Sequence, residues 1–181
     1  MQRTIRHSSN TSESWKSLPW KQFRRNLFRL QKRVFKAVQA GDKRKARSLQ
    51  KLILKSQAAR WLAIRQVTQL NAGKKTAGID GKASLNFEER FTLASELLKH
   101  HANWKHQKLR EIPIPKKDGT TRMLKVPTIA ARAWQCLAKY ALEPACALQP
   151  SMPETTVLER VAQRTMHRES CITTSEAPAT E

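Results

Sequence analysis

The chain has 181 residues, which suits one ordinary domain with short arms and excludes a large multidomain enzyme. Its 35 Lys and Arg residues outnumber its 14 Asp and Glu residues, the formal net charge is +21, and residues 16–75 contain eighteen basic residues but a single acidic one, Asp42. Because solubility needs a net charge of only about 2 to 8 in a small domain, this excess favours a polyanionic partner, and nucleic acid is the usual one.

Several other classes of protein are disfavoured. No stretch reaches the roughly 18 uninterrupted apolar residues of a membrane span, and the start of the chain lacks the apolar segment of a secretory signal. Cys136, Cys146 and Cys171 form no CxxC pair, and the five histidines lack ligand spacing, which argues against a disulfide framework and a zinc site. We therefore expect a soluble intracellular protein with no membrane partner and no metal.

The first third of the chain predicts an arm and two helices. Residues 1–14 are polar, and we expect a disordered arm. From Trp20 onward, apolar residues recur at steps of three and four, which predicts a helix that ends at Gly41. Asp42 is a capping residue and begins a second predicted helix, whose apolar stripe continues to Leu70. The two helices are expected to pack antiparallel and to leave their basic faces exposed.

Residues 71–81, NAGKKTAGIDG, form a glycine-spaced loop that we expect to be flexible. A phosphate-binding P-loop would need another glycine ahead of Gly73 and a preceding strand, and a calcium loop would need more carboxylates than that of Asp80. Spacing excludes both kinds of site. A solvated connector and a loop that lets Lys74 and Lys75 contact phosphates remain equally compatible with the residues alone.

The remaining elements are a third helix, a hairpin and a fourth helix. Asn86 and Glu89 fit a capping box at the start of the third helix. Alternating apolar and polar residues around a turn at 118–119 predict a β-hairpin, and helical spacing then continues to Pro144, which is expected to close the last helix. Beyond residue 150 the composition predicts a disordered tail, so the predicted fold class is mainly α with a small β-hairpin (α+β). The inner face of the third helix is predicted to consist of Phe87, Phe91, Ala94 and Leu98.

Four stretches resemble, in order and spacing, the N-terminal part of group II intron-encoded reverse transcriptase/maturases. The resemblance covers residues 15–150 and implies a basic helical N-terminal domain over 15–105, followed over 106–150 by the start of the polymerase fingers. Residues 151–181 would be an unrelated tail. The stretches are LFRLQKRVFKAVQAGDKRKARSLQKLILKS, RQVTQLNAGKKTAGIDG, REIPIPKKDG and RMLKVPTIAARAWQCLAKYALEP.

The resemblance implies a partner, a compartment and a set of contact residues. The partner would be structured RNA, in particular group II intron RNA, in the bacterial cytoplasm or in an organellar matrix or stroma. Ala131 departs from the family pattern, which has aspartate there, so any cap or ion pair of that carboxylate is expected to be lost. The implied RNA-binding residues are Lys43, Arg44, Lys51, Lys55, Lys74 and Lys75. Contacts with template and nucleotide phosphates are implied for Lys116, Lys117 and Arg122.

The resemblance also bears on catalysis. Full-length family members hold Mg²⁺ on aspartates of the palm, and this sequence has no aspartate after Asp118. We therefore expect no catalytic residue, no cofactor and no polymerase activity from the chain alone. Two alternatives remain open. The chain could be one piece of a split reverse transcriptase completed in trans by a palm-containing fragment, or a general basic component of a ribonucleoprotein.

The tail suggests a reason why the resemblance stops. With a one-base shift and permitted synonymous codons, residues 154–167, ETTVLERVAQRTMH, can encode the Tyr-Gly-Phe-Arg pattern with which the family continues. We hypothesise that residues from about 151 onward are an out-of-frame tail on a truncated maturase gene. Codons incompatible with that pattern in the shifted frame would contradict the hypothesis.

Overall fold

The structure, a computed structural model, describes residues 8–146, with side chains from residue 12 onward apart from that of Lys74. Over this range the chain is mainly helical and contains one two-stranded antiparallel hairpin, which confirms the predicted fold class. The proposed frame-shifted tail lies outside the described residues. The elements in chain order are α1 (Ser8–Lys16), α2 (Trp20–Gln39), α3 (Lys43–Lys55), α4 (Gln57–Arg65), a π-helical turn (Gln66–Leu70), a 3-10 turn (Ala72–Lys75), α5 (Phe87–His100), β1 (Arg110–Pro115), β2 (Thr121–Val126) and α6 (Ile129–Cys146).

The first helix occupies half of the arm that composition predicts to be disordered, so that expectation is wrong for residues 8–14. The helix is anchored by Trp15, which is only 3% exposed. Its ring lies 5.7 Å from that of Trp61 and 6.1 Å from that of Phe91, in edge-on geometry in both cases. The polar composition gives no sign of this element, because Trp15 is the only buried residue among its described side chains.

The second and third helices form the predicted antiparallel pair. Gly41 adopts a positive φ of 73°, and the Asp42 carboxylate accepts a hydrogen bond from the Lys45 amide at 2.9 Å, as expected of a turn followed by a helix cap. Val34 of α2 and Ile53 of α3 are completely buried in the same cluster. Burying each of these side chains contributes roughly 1.5–3 kcal/mol.

The second predicted helix is in fact two helices, because the chain bends at Ser56. Ser56 is extended (φ −66°, ψ 127°), and its hydroxyl accepts a hydrogen bond from the Ala59 amide at 3.5 Å, so it serves as the N-cap of α4. Because of the bend, Trp61 and Ile64 pack with Trp15 in a second core cluster. Apolar periodicity continues through the break because both helices bury one face in the same core.

The capping box of α5 is confirmed. The Asn86 side chain accepts from the Glu89 amide at 2.7 Å, and Glu89 in return accepts from the Asn86 amide at 2.9 Å. The Lys82 ammonium, 2.6 Å from the Glu89 carboxylate, helps to lower the pKa of that carboxyl. The predicted inner face is displaced, however, because Leu93 and Leu97 are buried and Leu98 is 46% exposed. α5 contacts α4 as well as α1, which shifts its buried arc by about one residue.

The fourth predicted helix continues past Pro144, so the expectation that this proline closes it is wrong. Pro144 lies inside α6 and is buried. A proline within a helix leaves the carbonyl four residues earlier, that of Tyr140, without its usual amide donor. Gln31 of α2 is itself buried and donates its Nε2 to the Tyr140 oxygen at 3.1 Å. The helix tolerates the proline because a neighbouring helix replaces the missing hydrogen bond.

The last helix joins the core of the first four. Leu137 and Ala141 pack with Val34 and Ile53, and Ala133 packs in the cluster of Trp15. α6 therefore belongs to the helical bundle, although the sequence assigns it to a segment beyond residue 105. The hairpin before it has Ile112 opposite Leu124 and Arg110 opposite Val126, and Val126 is its buried residue.

Candidate nucleic-acid interface

The described surface is distinguished by its positive charge. No helix within residues 8–146 is both long enough and apolar enough to cross a membrane. Over the same range, no group of three or more His, Cys, Asp or Glu side chains is placed to hold a metal ion. Basic side chains, by contrast, occur on α2, on α3, in the loop after α4 and at the hairpin turn.

The exposed face of α3 carries four of the residues implied by the resemblance. Burial of Ala46, Leu49 and Ile53 fixes which side of this helix faces the core. Gln50 and Leu54 are half-buried, the other positions are exposed to solvent, and no ion pair among the described residues engages them. Their charges are thus available to an external anion. The four exposed residues are Lys43, Arg44, Lys51 and Lys55, with Lys45 and Arg47 beside them.

The exposed face of α2 carries a second basic stripe, which the sequence-based selection of site residues misses. Its members are spaced by three or four residues, so they lie in a row on the side opposite the buried Phe23, Leu27 and Val34. The sequence could have identified these residues, because their spacing of three or four places them on the side of the helix opposite the apolar stripe. The exposed members are Lys21, Arg25, Arg29, Lys32 and Lys36.

Loop 71–81 is tied to the bundle, which differs from the flexible loop expected from its glycines. Arg132 of α6 donates from Nη1 to the Gly73 carbonyl at 2.9 Å and from Nη2 to the Thr76 carbonyl at 2.8 Å. Burial lowers the pKa of Arg132, and the negative charge of Asp80 acts in the opposite direction. The guanidinium therefore clamps the backbone around Lys75, whose side chain is exposed.

A glycine in this loop allows close backbone contact with the start of α6. A Cβ atom at Gly78 would lie 2.7 Å from the Cα and 2.9 Å from the amide nitrogen of Thr128. Any larger residue would push the two segments apart. The Thr128 hydroxyl accepts from the Ala131 amide at 3.3 Å, so threonine caps α6 although the aspartate of the family pattern is absent at Ala131.

The beginning of the loop is fixed by the π-helical turn. Gln66 donates from Nε2 to Asn71 Oδ1 at 2.8 Å, and the Asn71 amide donates to the Gln66 carbonyl at 2.9 Å. Val67 in the same turn is buried. Wide turns of this kind are rare and often adjoin functional segments. Both ends of the segment that carries Lys74 and Lys75 are thus held in place.

The hairpin turn presents the other implied set of residues. Lys116, Lys117 and Arg122 are all exposed. The Asp118 carboxylate accepts from the Thr120 hydroxyl at 2.6 Å and from the Thr120 amide at 3.0 Å, and these bonds lower the pKa of Asp118. The lysines therefore flank a turn that is ordered by its own side chains.

The implied residues lie in three places, on α3, in the loop and at the hairpin turn, and the structure links the last two. Arg110, at the base of the hairpin, donates to the Ala77 carbonyl at 3.4 Å, which places the loop beside the hairpin base. Among the described side chains, which do not include that of Lys74, no hydrogen bond or ion pair connects the α3 residues to either of them. The basic face of α3 and the assembly of loop and hairpin are therefore two separate candidate surfaces.

Part of this arrangement lies in a stretch of the chain that matches a known family of domains. Residues 15–97 match the N-terminal domain of reverse transcriptase. The helices α2 to α4, the clamped loop and most of α5 lie within the matched residues, and the hairpin and α6 follow them.

Two relatives define the family more closely. The chain is 46% identical to Maturase-like protein 1 of Euglena gracilis over 125 residues, which are 69% of this chain and 27% of that protein. It is 39% identical to Maturase-like protein 1 of Euglena longa over 129 residues, 71% of this chain and 28% of that protein. The chain belongs to the reverse transcriptase/maturase family of the group II intron type, as an N-terminal region. It spans about a quarter of the length of the curated relatives it matches.

Proposed function

We propose that this chain binds structured RNA, in particular group II intron RNA, and polymerises nothing by itself. The observation that carries the proposal is the exposed face of α3, where Lys43, Arg44, Lys51 and Lys55 lie without a carboxylate partner among the described residues. Cations that approach RNA phosphates release condensed counterions, which makes such a face an RNA-binding surface at moderate salt.

The loop and the hairpin supply a second set of contacts in this proposal. Lys74 and Lys75 lie on a backbone that Arg132 holds at Gly73 and Thr76, so the bundle fixes the position of this part of the loop. Lys116, Lys117 and Arg122 project from the neighbouring hairpin and contact the phosphates of a template strand or nucleotide. Because the major groove of an RNA duplex is too deep and narrow for side chains, recognition depends on backbone shape rather than on base sequence.

Salt dependence of binding tests the proposal. The full chain is titrated onto a folded group II intron RNA at several salt concentrations, and the slope of log K against log salt is measured. Replacing Lys51 and Lys55 by alanine should lower the magnitude of the slope by about 1.4 to 1.8, because each lost phosphate contact contributes about 0.7 to 0.9. The matched control replaces Lys99 and Lys105, which are exposed on or just after α5, and should leave the slope unchanged.

Two results would contradict the proposal. Equal slopes for the two double variants would mean that the α3 face contacts no phosphates. Equal affinity for the intron RNA and for unrelated duplex DNA would favour the general basic ribonucleoprotein component instead, since a surface that reads RNA shape distinguishes A-form from B-form helices.

A second function is favoured by the apolar surface of the hairpin. Leu109, Ile114 and Met123 are all exposed on or beside its strands. Such side chains suit a piece of a split reverse transcriptase that a palm-containing fragment covers. Addition of a separately purified palm fragment should then restore cDNA synthesis, with Mg²⁺ held by that fragment. Absence of synthesis with a fragment that binds the chain would leave RNA binding as the sole role.

A further inference from the structure

The two edges of the hairpin differ in the backbone groups that they offer. Beside the turn, the Lys116 amide donates to the Thr120 carbonyl at 2.8 Å. In an antiparallel ladder, such hydrogen-bonded pairs alternate with pairs whose amides and carbonyls point away from the partner strand. Counting along the observed register from this first pair gives the outward-pointing pairs, which are Pro115 with Thr121, Pro113 with Met123 and Glu111 with Lys125.

The outer edge of β1 is blocked. Two of its three outward-pointing residues are Pro113 and Pro115, and proline has no amide hydrogen to donate. A strand that approached this edge would find one donor, the Glu111 amide. Prolines on an edge strand are a common means of preventing further pairing, so β1 is closed to another strand.

The outer edge of β2 is open. Its outward-pointing residues are Thr121, Met123 and Lys125, each of which has both an amide and a carbonyl, and all three are exposed. Within residues 8–146, no backbone hydrogen bond beyond the hairpin engages these groups. Met123 at the centre is apolar and 47% exposed. An exposed, unpaired edge of this kind favours the addition of a further strand.

The sequence of β2 is complementary to itself. When two copies pair antiparallel, the register centred on Met123 is the one that pairs all three outward-pointing residues of both strands. In this register Thr121 lies opposite Lys125 of the other copy, and Arg122 lies opposite Leu124. No two like charges are directly opposite, so the pairing avoids the repulsion that would destabilise it. Because each copy contributes the same residues, a twofold axis closes the interface.

We propose that two copies of this chain associate through the outer edges of β2 and form a four-stranded antiparallel sheet. The contact involves the six residues of each β2, whereas a stable interface has about 20 to 30 residues on each side, so the association is weak and reversible. Each copy has a net charge of +21, and salt screens the resulting repulsion. Association should therefore strengthen with salt, whereas binding to RNA weakens. This dimer goes beyond the proposed function, because it presents two α3 faces at once.

Charge substitutions at Thr121 test the register. Thr121→Glu places a carboxylate opposite Lys125 of the other copy at two symmetric positions, and Thr121→Lys places an ammonium group there instead. Within its own hairpin Thr121 lies opposite Pro115, so neither substitution adds a directly opposed charged pair inside the chain. Sedimentation equilibrium of the full chain at about 0.3 M salt, where the Debye length is roughly 5 to 6 Å, measures the dissociation constant. It should fall about fivefold in Thr121→Glu and rise about fivefold in Thr121→Lys.

Gln107 provides the matched controls, because it is exposed just before β1 and lies outside both edges. Gln107→Glu and Gln107→Lys change the net charge of the chain by the same amounts as the two substitutions at Thr121. The dissociation constant should be almost unchanged in both. Circular dichroism of each variant establishes that the helical bundle is intact.

A disulfide cross-link checks the centre of the interface. Residues of a hydrogen-bonded antiparallel pair have Cα atoms about 5.5 Å apart, which a disulfide can span. In a background that carries Cys146→Ser and Cys171→Ser, Met123→Cys should therefore form a disulfide-linked dimer on mild oxidation. Thr121→Cys serves as the control, because its equivalent in the other copy is four residues away along the strands, or about 13 Å. It should form little linked dimer.

The inference is wrong if the chain stays monomeric at about 1 mM in this salt, or if the Thr121 variants behave like the Gln107 variants. It is also wrong if Thr121→Lys abolishes binding of a palm-containing fragment without affecting self-association, since the open edge would then belong to that fragment. Failure of the proposed function appears elsewhere, as equal salt slopes for the two lysine double variants on folded intron RNA, measured where the chain is monomeric.

Discussion

Two segments of this chain carry adjacent lysines near a glycine, and the protein holds them in different ways. Lys74 and Lys75 lie in loop 71–81, whose carbonyls are bound by Arg132 from α6. Lys116 and Lys117 lie in the hairpin turn, which is ordered by hydrogen bonds among neighbouring residues of the same turn. Similar local sequences thus present their charges from a clamped loop in one case and from a self-contained turn in the other.

The difference lies in how far away the supporting residue is. Arg132 is 59 residues from Gly73 along the chain, whereas Asp118 and Thr120 are two residues apart. The loop therefore keeps its shape only while the bundle is folded and α6 is in place. The turn keeps its shape as long as its two strands pair. Substitutions in the bundle should consequently disturb the loop and leave the turn unaffected.

The largest effect is expected from Gly78→Ala. The new Cβ would lie 2.7 Å from the Thr128 backbone, which cannot rotate away, so the loop or the start of α6 must move. We expect a loss of about 2 to 3 kcal/mol in the free energy of unfolding, as for overpacking elsewhere in proteins. Urea denaturation followed by circular dichroism measures this loss.

Two other glycines serve as controls for that substitution. Gly73 has open space around its Cβ position, so Gly73→Ala should change the stability by less than about 1 kcal/mol. Gly119 of the turn has a φ of +80°, and Gly119→Ala should accelerate amide exchange in the turn alone. A Gly78→Ala variant as stable as Gly73→Ala would show that the loop is not packed against α6.

The next largest effect concerns the helix from which the clamp extends. Gln31→Leu removes the donor that satisfies the Tyr140 carbonyl opposite Pro144, and we expect the loss of about 2 kcal/mol of stability. Amide exchange in loop 71–81 should accelerate as α6 loosens, while exchange in the hairpin turn should not change. Urea denaturation and hydrogen exchange with mass spectrometry measure the two effects.

A second substitution checks the cause. Pro144→Ala restores an amide that can donate to the Tyr140 carbonyl within the helix, so Gln31→Leu should cost much less in that background. The double-mutant cycle should therefore give a coupling of about 1 kcal/mol or more. Equal costs of Gln31→Leu in both backgrounds would mean that the glutamine stabilises α6 by packing and not by this hydrogen bond.

The sequence predicts most of the fold because its signals are local. Apolar spacing identifies α2, α3, α5 and α6, Asn86 and Glu89 identify a cap, and the turn at 118–119 identifies the hairpin. Two errors in the predicted helices arise where a distant partner decides the outcome, because Trp61 and Phe91 pack on α1 and Gln31 allows α6 to continue through Pro144. The bend at Ser56 has a different cause. Residues of α3 and α4 pack in the same cluster, so apolar periodicity does not mark the break.

The candidate site is predictable to a smaller degree. The exposure of Lys43, Arg44, Lys51 and Lys55 follows from the apolar spacing of α3. The clamp by Arg132 does not, because it joins elements whose relative positions depend on the whole bundle. The roles of the basic residues as RNA contacts stay predictions that the binding experiments decide.

A smaller effect is expected from Arg132→Met, which keeps the aliphatic stem and removes both hydrogen bonds to the loop. The Gly73 and Thr76 carbonyls can then bond to water, so the loss of stability should be only about 1 kcal/mol. Amides between residues 72 and 77 should exchange much faster. Arg110→Met removes a single long bond to Ala77 and should have a weaker effect. Equal exchange in the two variants would contradict the role of Arg132 as the clamp.

The smallest effect is a dependence of the turn on pH. Hydrogen bonds from Thr120 lower the pKa of the Asp118 carboxyl in the folded turn, so this group stabilises the turn at pH values above its unfolded pKa. That contribution is lost as the pH falls below about 4 and through the lowered pKa of the folded state. We expect the Thr120 amide to exchange faster, relative to its intrinsic rate, over this range. The clamp on the loop should persist, because the Arg132 guanidinium stays protonated in acid.

Asp118→Asn keeps an acceptor for Thr120 and has no charge to lose, so it should abolish the dependence. A Thr120 amide that responds equally to acid in that variant would show that another group controls the turn.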